Sequence, residues 1–410
     1  MNLVAKCLLG YMAIHILLIA LVEAYFCVPL QMVQPLLLVV LAVITLLNAK
    51  KIILDRSDII IIFLLIFLNI YYTLIDARGL IFFKMSYILI LAILISKIVL
   101  PNISLRRYTK KIETIYLIIL AALVFEYLFL VFFGETFIKN LLMCHGQVTG
   151  TRGYIPLYNM TKEFLPYHIT GLNSIMLGGQ TASQLAVIIF IWSFYKYRST
   201  DYRFYTMTSL LAILMLLLSP TVTSIFLLFF SIIIIYLFDL RGKLKKKIIN
   251  FYIIYPIVLM VLLTFVLILT ILISKHSSLD LIYEKYILVN IMGFSYFNLN
   301  EILLGVSYEK YLDLFKIGEI AFLDQLQKFG FIGIGVFYIS ILYFILRAIT
   351  NKTTSHVISN VIIIIIYVLG TAHYPVMFKI GVADLFILHL AYIIYIGSSS
   401  RKSNRIASLS

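Results

Sequence analysis

The chain has few charged side chains: Asp, Glu, Lys and Arg make up only 12% of its 410 residues, while hydrophobic residues make up 63%. Soluble domains typically contain about 25% charged residues. No stretch of the sequence resembles an independent soluble domain, and the mean hydropathy is +1.07. We therefore expect a single membrane domain over residues 1–410.

Cysteine and the common catalytic motifs are also scarce. The three cysteines, Cys7, Cys27 and Cys144, have no spacing that demands a disulfide framework. No Cys/His spacing is typical of a metal site. Walker A, Gly-Xaa-Ser-Xaa-Gly and His-Glu-Xaa-Xaa-His motifs are missing from the sequence. We predict no metal, no other cofactor and no ATP-driven transport.

Apolar runs dominate instead, and about twelve of them approach the roughly 20 residues that cross a bilayer as a helix. The predicted spans are 5–24, 30–48, 58–75, 80–98, 114–133, 179–196, 205–219, 221–239, 249–274, 329–347, 357–372 and 382–397. The first run has features of a signal peptide, but the charge pattern favours an uncleaved helix. Ser219-Pro220 is either a tight turn between two spans or a kink in one, which changes the number of spans.

Positive charge falls in every second connection between these runs. One set of loops and tails, with flanking residues, carries 22 Lys and Arg against 5 Asp and Glu; the other carries 11 against 13. This alternation is typical of a polytopic protein with its basic loops in the cytoplasm. It places both termini inside and explains the net charge of +15 by topology and anionic lipid rather than by nucleic acid.

The two longest connections, 134–178 and 275–328, both fall on the predicted outer side. Loops of this length are usually functional or disordered, and their wealth of Tyr, Phe, Leu and Ile favours folded structure on the membrane surface. Apolar residues at helical spacing in 279–287 predict an interfacial amphipathic helix. The spacing in 319–329 predicts a second helix that continues into the span at 329–347.

Chemistry-bearing residues concentrate in these loops. Arg152 lies between Gly150-Thr151 and Gly153, where backbone can approach a ligand closely, and guanidinium suits bidentate phosphate recognition. The alternative is a solvated loop charge. Glu319 is either a general base at the membrane surface or a carboxylate favoured by a helix N-terminus. Lys162 and His168 are further candidate residues in the first long loop.

A third cluster follows the span at 357–372, where His373, Tyr374 and Lys379 stand close together in sequence. Lys379 is either part of a site or a lysine that snorkels to the interface. Within the spans Glu126 and His389 are the clearest ionisable residues and are functional candidates for that reason. Lys84 and Lys97 lie near span ends and are expected to snorkel.

Two segments carry a family resemblance. Tyr167-His168-Ile169-Thr170-Gly171-Leu172 looks like the basic-Xaa-Xaa-Gly-Leu segment of Wzy-type O-antigen polymerases, with His168 where many relatives have Arg. The second segment looks like that family's second loop running into its Gly-rich span. It consists of Leu304-Gly305-Val306, Glu319 through Phe329, and Gly330-Phe331-Ile332-Gly333. The overall architecture also resembles the polymerase and ligase superfamily. Ligase-like members tend to carry His at the position of Glu319, so a glutamate at this position favours a polymerase.

The resemblance implies an enzyme of the bacterial inner membrane with a periplasmic active face. It transfers glycan from undecaprenyl pyrophosphate onto a second lipid-linked repeat unit, without metal or nucleotide. Glu319 is then the base, His168 the second candidate for it, and Arg152 the main cation on the leaving pyrophosphate. The implied substrate-binding residues are Lys379, His373, Tyr374, Lys162, Tyr154 and Asn173. Membrane lipids and a polysaccharide chain-length regulator are the further partners implied.

Two other functions fit the same sequence less well. A flippase or other transporter of lipid-linked oligosaccharide needs charged residues that line a cavity within its spans, and here such charge is sparse. An O-antigen ligase shares the outer-face chemistry and differs in its acceptor.

Overall fold

A computed structural model describes residue 43, residues 54–75, 78–141, 179–200, 202–218, 222–243, 297–307, 310, 321–351, 354–373 and 382–407. All regular structure in these ranges is helical. The α-helices are α1 (Arg56–Ile75), α2 (Arg78–Ile98), α3 (Leu105–Leu141), α4 (Gly179–Thr200), α5 (Arg203–Leu218), α6 (Val222–Lys243), α7 (Leu299–Leu304), α8 (Ala321–Asn351), α9 (Ser355–His373) and α10 (Val382–Ala407). A 3₁₀ turn at Leu100–Asn102 joins α2 to α3.

The helices coincide with nine of the predicted spans, those on α1 to α6 and on α8 to α10. The predicted spans 5–24 and 249–274, and nearly all of 30–48, lie outside the described residues. Among the residues that the structure describes, three helices are long and apolar enough to cross a membrane: Arg56–Ile75, Phe82–Asn102 and Phe322–Asn351. The chain is thus a helical protein that fits a membrane environment, and the count of twelve and its orientation stay predictions.

Helix α3 differs from the sequence prediction in its boundaries, whereas α5 and α6 follow the two separate spans predicted around Ser219-Pro220. Helix α3 begins at Leu105 and continues to Leu141, beyond both limits of the predicted span at 114–133. No proline interrupts this stretch, so the helix continues into the segment predicted as the first long loop. Around Ser219-Pro220, α5 and α6 are separate helices that both pack against α4.

Helices α4 and α10 each have a long stretch that is buried on all sides. Along α10, nearly every side chain from Val382 to Ile394 is buried, as is the stretch from Thr181 to Ile189 in α4. A helix that is apolar on all sides is stable only when it is surrounded by others. Helix α10 packs against α2, α8 and α9, so these four helices enclose most of the core.

Helix α1 lies at the edge of this bundle. It buries Leu65, Leu68 and Tyr72 against the core but leaves Phe63 66% exposed and Leu74 80% exposed. Exposed aromatic and aliphatic residues along a whole helix are costly in water and favourable in lipid. The surface of α1 therefore fits a hydrocarbon environment.

Candidate functional site

The nine residues predicted to carry catalysis or substrate binding have no described side chains. These are Arg152, Tyr154, Lys162, His168, Asn173, Glu319, His373, Tyr374 and Lys379. His373 is the last residue of α9, and Glu126 lies within α3, but the side chains of both are outside the described part. The predicted interfacial helix at 279–287 lies outside it too. The described residues instead reveal two polar clusters at opposite ends of α8.

The first cluster forms where two glycine-containing segments cross. We call Leu303–Val306 together with Gln327–Gly330 the glycine crossing. Gly330 has φ 61° and ψ −178°, which breaks the helical path inside α8, and Gly305 has φ 85° just after α7. A Cβ on Gly330 would overlap the Leu303 carbonyl and the Gly305 nitrogen, and one on Gly305 would overlap the Lys328 carbonyl. Glycine is needed at both positions because no side chain fits and because both have positive φ.

The break in α8 is held by donors from three other places in the chain. Three successive carbonyl oxygens of α8 each accept a hydrogen bond from outside the helix. The Val306 N–H donates to the Gln327 carbonyl (2.9 Å), Arg78 Nη1 donates to the Lys328 carbonyl (2.8 Å), and the Tyr72 hydroxyl donates to the Phe329 carbonyl (2.6 Å). Buried carbonyls that lose their helical partners need such replacements. The irregular backbone is therefore fully supported rather than frayed.

Three buried aromatic rings pack together at the same break. The rings of Tyr72, Phe82 and Phe329 lie 4.9 to 5.4 Å apart and are all buried. The Arg78 guanidinium carbon lies 5.3 Å from the centre of the Tyr72 ring, and its residue is only 3% exposed. Arg78 thus combines a hydrogen bond to a carbonyl with a cation–π contact.

The short helix α7 brings further charge beside the crossing. Asn298 caps α7: its side-chain oxygen accepts from the backbone N–H of Glu301, and the Glu301 carboxylate accepts from the backbone N–H of Asn298. Lys310 Nζ lies 2.7 Å from Glu301 Oε1 and 5.6 Å from the Phe297 ring centre. Although partial burial alone would raise it, the pKa of Glu301 is lowered by these contacts with Lys310 and with the Asn298 amide. A paired charge network thus lies next to the crossing, in the predicted second loop.

A groove of about 270 Å³ opens beside the crossing, between α1 and α2. Its lining is mostly apolar and consists of Asn69, Ile70, Thr73, Leu74, Gly79 and Phe83. The amide of Asn69 donates to the Leu65 carbonyl and to Ser86, so its donor groups point into the protein. The helix ends thus combine paired cations and hydrogen-bonded carbonyl groups with a mostly apolar groove.

The second cluster lies at the other end of α8 and consists of paired charges. We call Asp55, Asp58, Lys97 and Arg347 the ion cluster. Lys97 Nζ lies 2.8 Å from Asp58 Oδ2, 3.3 Å from Asp55 Oδ2 and 2.8 Å from Ser398 Oγ. The Lys97 side chain is only 8% exposed. The prediction that Lys97 snorkels was wrong, because two carboxylates and a hydroxyl accept from its ammonium group inside the protein. Lys84, by contrast, is exposed.

Arg347 is the member of the ion cluster that lies on α8, and it also contacts α10. Its Nη2 lies 2.5 Å from Asp55 Oδ2, and its Nε donates to the Gly397 carbonyl at 2.9 Å. Burial alone would raise the pKa of Asp55, but the hydrogen bond from Arg347 and the charges of Lys97 and Arg347 bring this pKa below its ordinary value of 3.8. The two cations and two carboxylates balance, so the cluster ties the ends of α1, α2, α8 and α10 together without net charge.

His389, the ionisable residue predicted as an intramembrane candidate, is buried in a network of neutral groups. One ring nitrogen bonds to the Tyr116 hydroxyl, and Nδ1 lies 2.6 Å from Asn360 Oδ1. A neighbouring cavity of about 20 Å³, with Trp192, Lys196 and His356 in its lining, has room for one water. Both polar atoms of the imidazole have partners, which fits a residue that links α3, α9 and α10.

Sequence reasoning missed Arg78 and the two aspartates of the ion cluster. A signal for the aspartates was present: only five acidic residues occur among the loops predicted to be inside, and Asp55, Asp58 and Glu113 are three of them. All three are paired, Glu113 with Lys196 at 3.5 Å and with the Tyr205 hydroxyl at 2.7 Å. Acidic residues in an otherwise basic set of loops thus indicate ion pairs at helix ends. Arg78 had no comparable signal.

Within the ranges that the structure describes, no group of three or more His, Cys, Asp or Glu side chains is arranged to hold a metal ion. No protein-family model matches the chain, and neither a curated protein nor a solved structure matches it.

Proposed function

We propose that the protein is an O-antigen polymerase of the bacterial inner membrane. It transfers a glycan from undecaprenyl pyrophosphate onto another lipid-linked repeat unit at the periplasmic face. The helical, apolar architecture of the described residues supports the membrane location. The charge alternation of the sequence supports placing the crossing outside and the ion cluster inside.

One observation carries this proposal: the glycine crossing brings together two parts of the second family-like segment, one before and one after Glu319. Leu304-Gly305-Val306 and Gly330-Phe331-Ile332-Gly333 are about 25 residues apart in sequence, yet their glycines are in direct contact. Broken helices within membrane proteins are tolerated where the backbone is buried or lines a cavity, and they often mark binding sites. The family-like pattern therefore has a physical basis in this chain.

The reaction has simple chemical needs. The acceptor hydroxyl oxygen forms a bond to the anomeric carbon of the donor, and the bond from that carbon to the pyrophosphate oxygen breaks. Glu319 takes the hydroxyl proton, with His168 the second candidate. The pyrophosphate leaves with the electron pair and is stabilised by Arg152 and Lys379, with His373 nearby in sequence. The donor is already activated, so neither metal nor nucleotide is needed.

Sugar and lipid are bound by separate surfaces. Tyr154, Tyr374, Asn173 and Lys162 supply aromatic and polar groups for the glycan. The apolar groove between α1 and α2 lies at the same helix ends as the crossing and offers a surface for a polyprenyl tail. A chain-length regulator is the protein partner that this function implies.

The experiment is a lipopolysaccharide gel from the source cell with the gene deleted and then restored. A ladder that collapses to core bearing one repeat unit supports the polymerase, because units are still flipped and attached. Core without any unit would indicate a flippase or a ligase instead, and lipid-linked polymer outside the membrane would single out the ligase. An unchanged ladder would overturn the proposal.

Site variants refine the same assay. Arg152→Ala and Glu319→Gln should each abolish the ladder at normal protein level, since they remove the main cation and the base. The matched controls are Arg106→Ala, an exposed cation of α3, and Glu309→Gln from the same predicted loop as Glu319. If both site variants give normal ladders, the assignment of these two residues is wrong.

A further inference from the structure

The Lys328 carbonyl is the middle one of the three that the break in α8 exposes. Its partner is the only charged donor of the three, since the other two are the Val306 amide and the Tyr72 hydroxyl. Hydrogen bonds from charged donors are roughly twice as strong as neutral ones. Arg78 therefore contributes more than its neighbours to holding the broken segment in one orientation.

The position of Arg78 makes this contact rigid. Arg78 is the first residue of α2, a helix buried against the core along most of its length. Its guanidinium lies over the Tyr72 ring, and the Tyr72 hydroxyl donates to the next carbonyl of α8. The ends of α1 and α2 thus donate together to α8, and these two hydrogen bonds hold the last residues of the segment Ala321–Phe329 against the bundle.

The charge of Lys328 itself is directed elsewhere. Its Nζ lies 2.8 Å from Asp324 Oδ2, one helical turn earlier. Gln325 and Gln327 on the same segment are buried, and Gln325 Oε1 accepts from the Tyr338 hydroxyl at 3.2 Å. The segment before the break is therefore an ordered helical turn, and Arg78 holds it through its backbone.

We infer that Arg78 is a positioning residue for the glycosyl transfer, acting through the Lys328 carbonyl on the segment Ala321–Phe329 rather than by contact with substrate. This inference rests on the proposed function, because the segment directly follows the loop from which the proposed base comes. Sequence alone did not suggest Arg78, which stands in a short connection away from both long loops.

The test combines a structural and a kinetic measurement on purified full-length protein in lipid nanodiscs. The variants are Arg78→Gln and Arg78→Lys, with Lys84→Gln as the control, because Lys84 is an exposed cation on the same helix. Hydrogen–deuterium exchange reports on the Val306 amide and on the amides of 330–334. Polymerisation of a lipid-linked repeat unit reports kcat and KM.

For Arg78→Gln we expect exchange at these amides to accelerate about tenfold to 100-fold, the range that loss of one charged hydrogen bond implies. We expect kcat to fall by at least about tenfold, with KM for the lipid donor changed less than about twofold. Arg78→Lys should fall between Gln and wild type in both measurements, since an ammonium group can donate once but cannot stack like guanidinium. Lys84→Gln should match wild type.

Other outcomes overturn the inference. A raised KM with unchanged exchange would mean that Arg78 binds substrate directly. Faster exchange with unchanged kcat would mean that it supports the fold but not the reaction. If Arg78→Gln does not accumulate, Tyr72→Phe replaces it: this variant keeps the ring, removes one donor at the same break and should give the same changes to a smaller degree. Unchanged exchange in Tyr72→Phe would then contradict the inference.

Failure of the proposed function is distinguishable from failure of this inference. An unchanged lipopolysaccharide ladder on gene deletion removes the polymerase function, whatever the exchange data show. A collapsed ladder together with wild-type exchange and kinetics in Arg78→Gln leaves the polymerase in place and removes Arg78 from it.

Discussion

The two ends of α8 are held in opposite ways. At Gly330 the backbone itself is the contact surface: glycines cross, and carbonyls receive donors from α1, α2 and the segment after α7. At Arg347, 17 residues later, side-chain charges pair among themselves and the helix is regular. At about 1.5 Å per residue the two regions are about 26 Å apart, close to the thickness of a bilayer core.

The difference separates a structural joint from a candidate site. In the ion cluster the charges are balanced and their hydrogen bonds stay within the protein, so little is left to bind a ligand. In the glycine crossing, the protein keeps an irregular backbone supported by a buried cation, and such features are rare in membrane proteins away from functional sites. We therefore expect changes at the crossing to affect both activity and stability, and changes in the ion cluster to affect stability alone.

The largest effect is expected for Gly330→Ala. The methyl group would overlap backbone of Leu303 and Gly305, and the backbone conformation is one that only glycine adopts readily. We expect a loss of at least about 4 kcal/mol in unfolding free energy, measured by denaturant unfolding in detergent. Gly335→Ala is the control, since a Cβ there approaches nothing nearer than Ile339 Cδ1 at 3.8 Å. Equal stability of the two variants would refute the crossing.

A smaller loss is expected when the ion cluster is broken on one side. Lys97→Met leaves Asp58 buried without its main cation, which should cost about 3 kcal/mol. The double variant Lys97→Met/Asp58→Asn removes the pair together and should recover much of that loss. Specific activity per folded molecule should match wild type in both. A double variant as unstable as Lys97→Met would show that the pair does not act as a unit.

The neutral network around His389 should contribute less to the unfolding free energy than the ion cluster does. His389→Gln keeps hydrogen-bonding capacity but alters its geometry toward Tyr116 and Asn360, and we expect a loss of about 1 kcal/mol. Thermal melting in detergent measures the loss. Polymerisation should continue at a normal rate per folded molecule. Loss of activity at normal stability would show that His389 has a chemical role as well.

The smallest effect is a pH dependence from Asp55. Its pKa in the folded protein lies below the ordinary 3.8 because Arg347 and Lys97 favour the carboxylate. The stability that its charge contributes is therefore present above pH 3.8 and is lost as the pH falls through that value toward the folded-state pKa. The Tm difference between wild type and Asp55→Asn should shrink below about pH 4. Ser57→Ala, a non-titrating neighbour hydrogen-bonded to Arg347, should show a constant difference.

Much of the fold was predictable because span helices follow directly from apolar length. The helices at Arg56–Ile75 and Arg78–Ile98 match their predicted spans to within a few residues. Boundaries of α3 were less predictable, since polar ends such as Leu105–Glu113 continue a helix without any apolar signal. The tertiary partners of buried charges were not predictable, because a lysine at a span end looks the same whether it snorkels or pairs.

The candidate site shows the same limit. The glycines of the crossing belong to a family-like pattern in the sequence, but their contact joins residues about 25 positions apart, and no local pattern encodes it. The support from Arg78 and Tyr72 spans about 250 residues of sequence. Such long-range contacts depend on how the helices pack, which single-sequence periodicity does not report.

The proposed function requires that the glycine crossing faces outward and the ion cluster faces the cytoplasm. Two exposed serines test it directly: Ser307, next to the crossing, and Ser355, at the start of α9 near the other end. Each is changed to Cys in a chain whose three native cysteines are replaced by alanine. The cells, with permeabilised outer membranes, are then treated with an impermeant maleimide. We predict that Ser307→Cys is labelled in these cells and that Ser355→Cys is labelled only after the inner membrane is lysed. The reverse pattern would place the crossing in the cytoplasm and contradict the account.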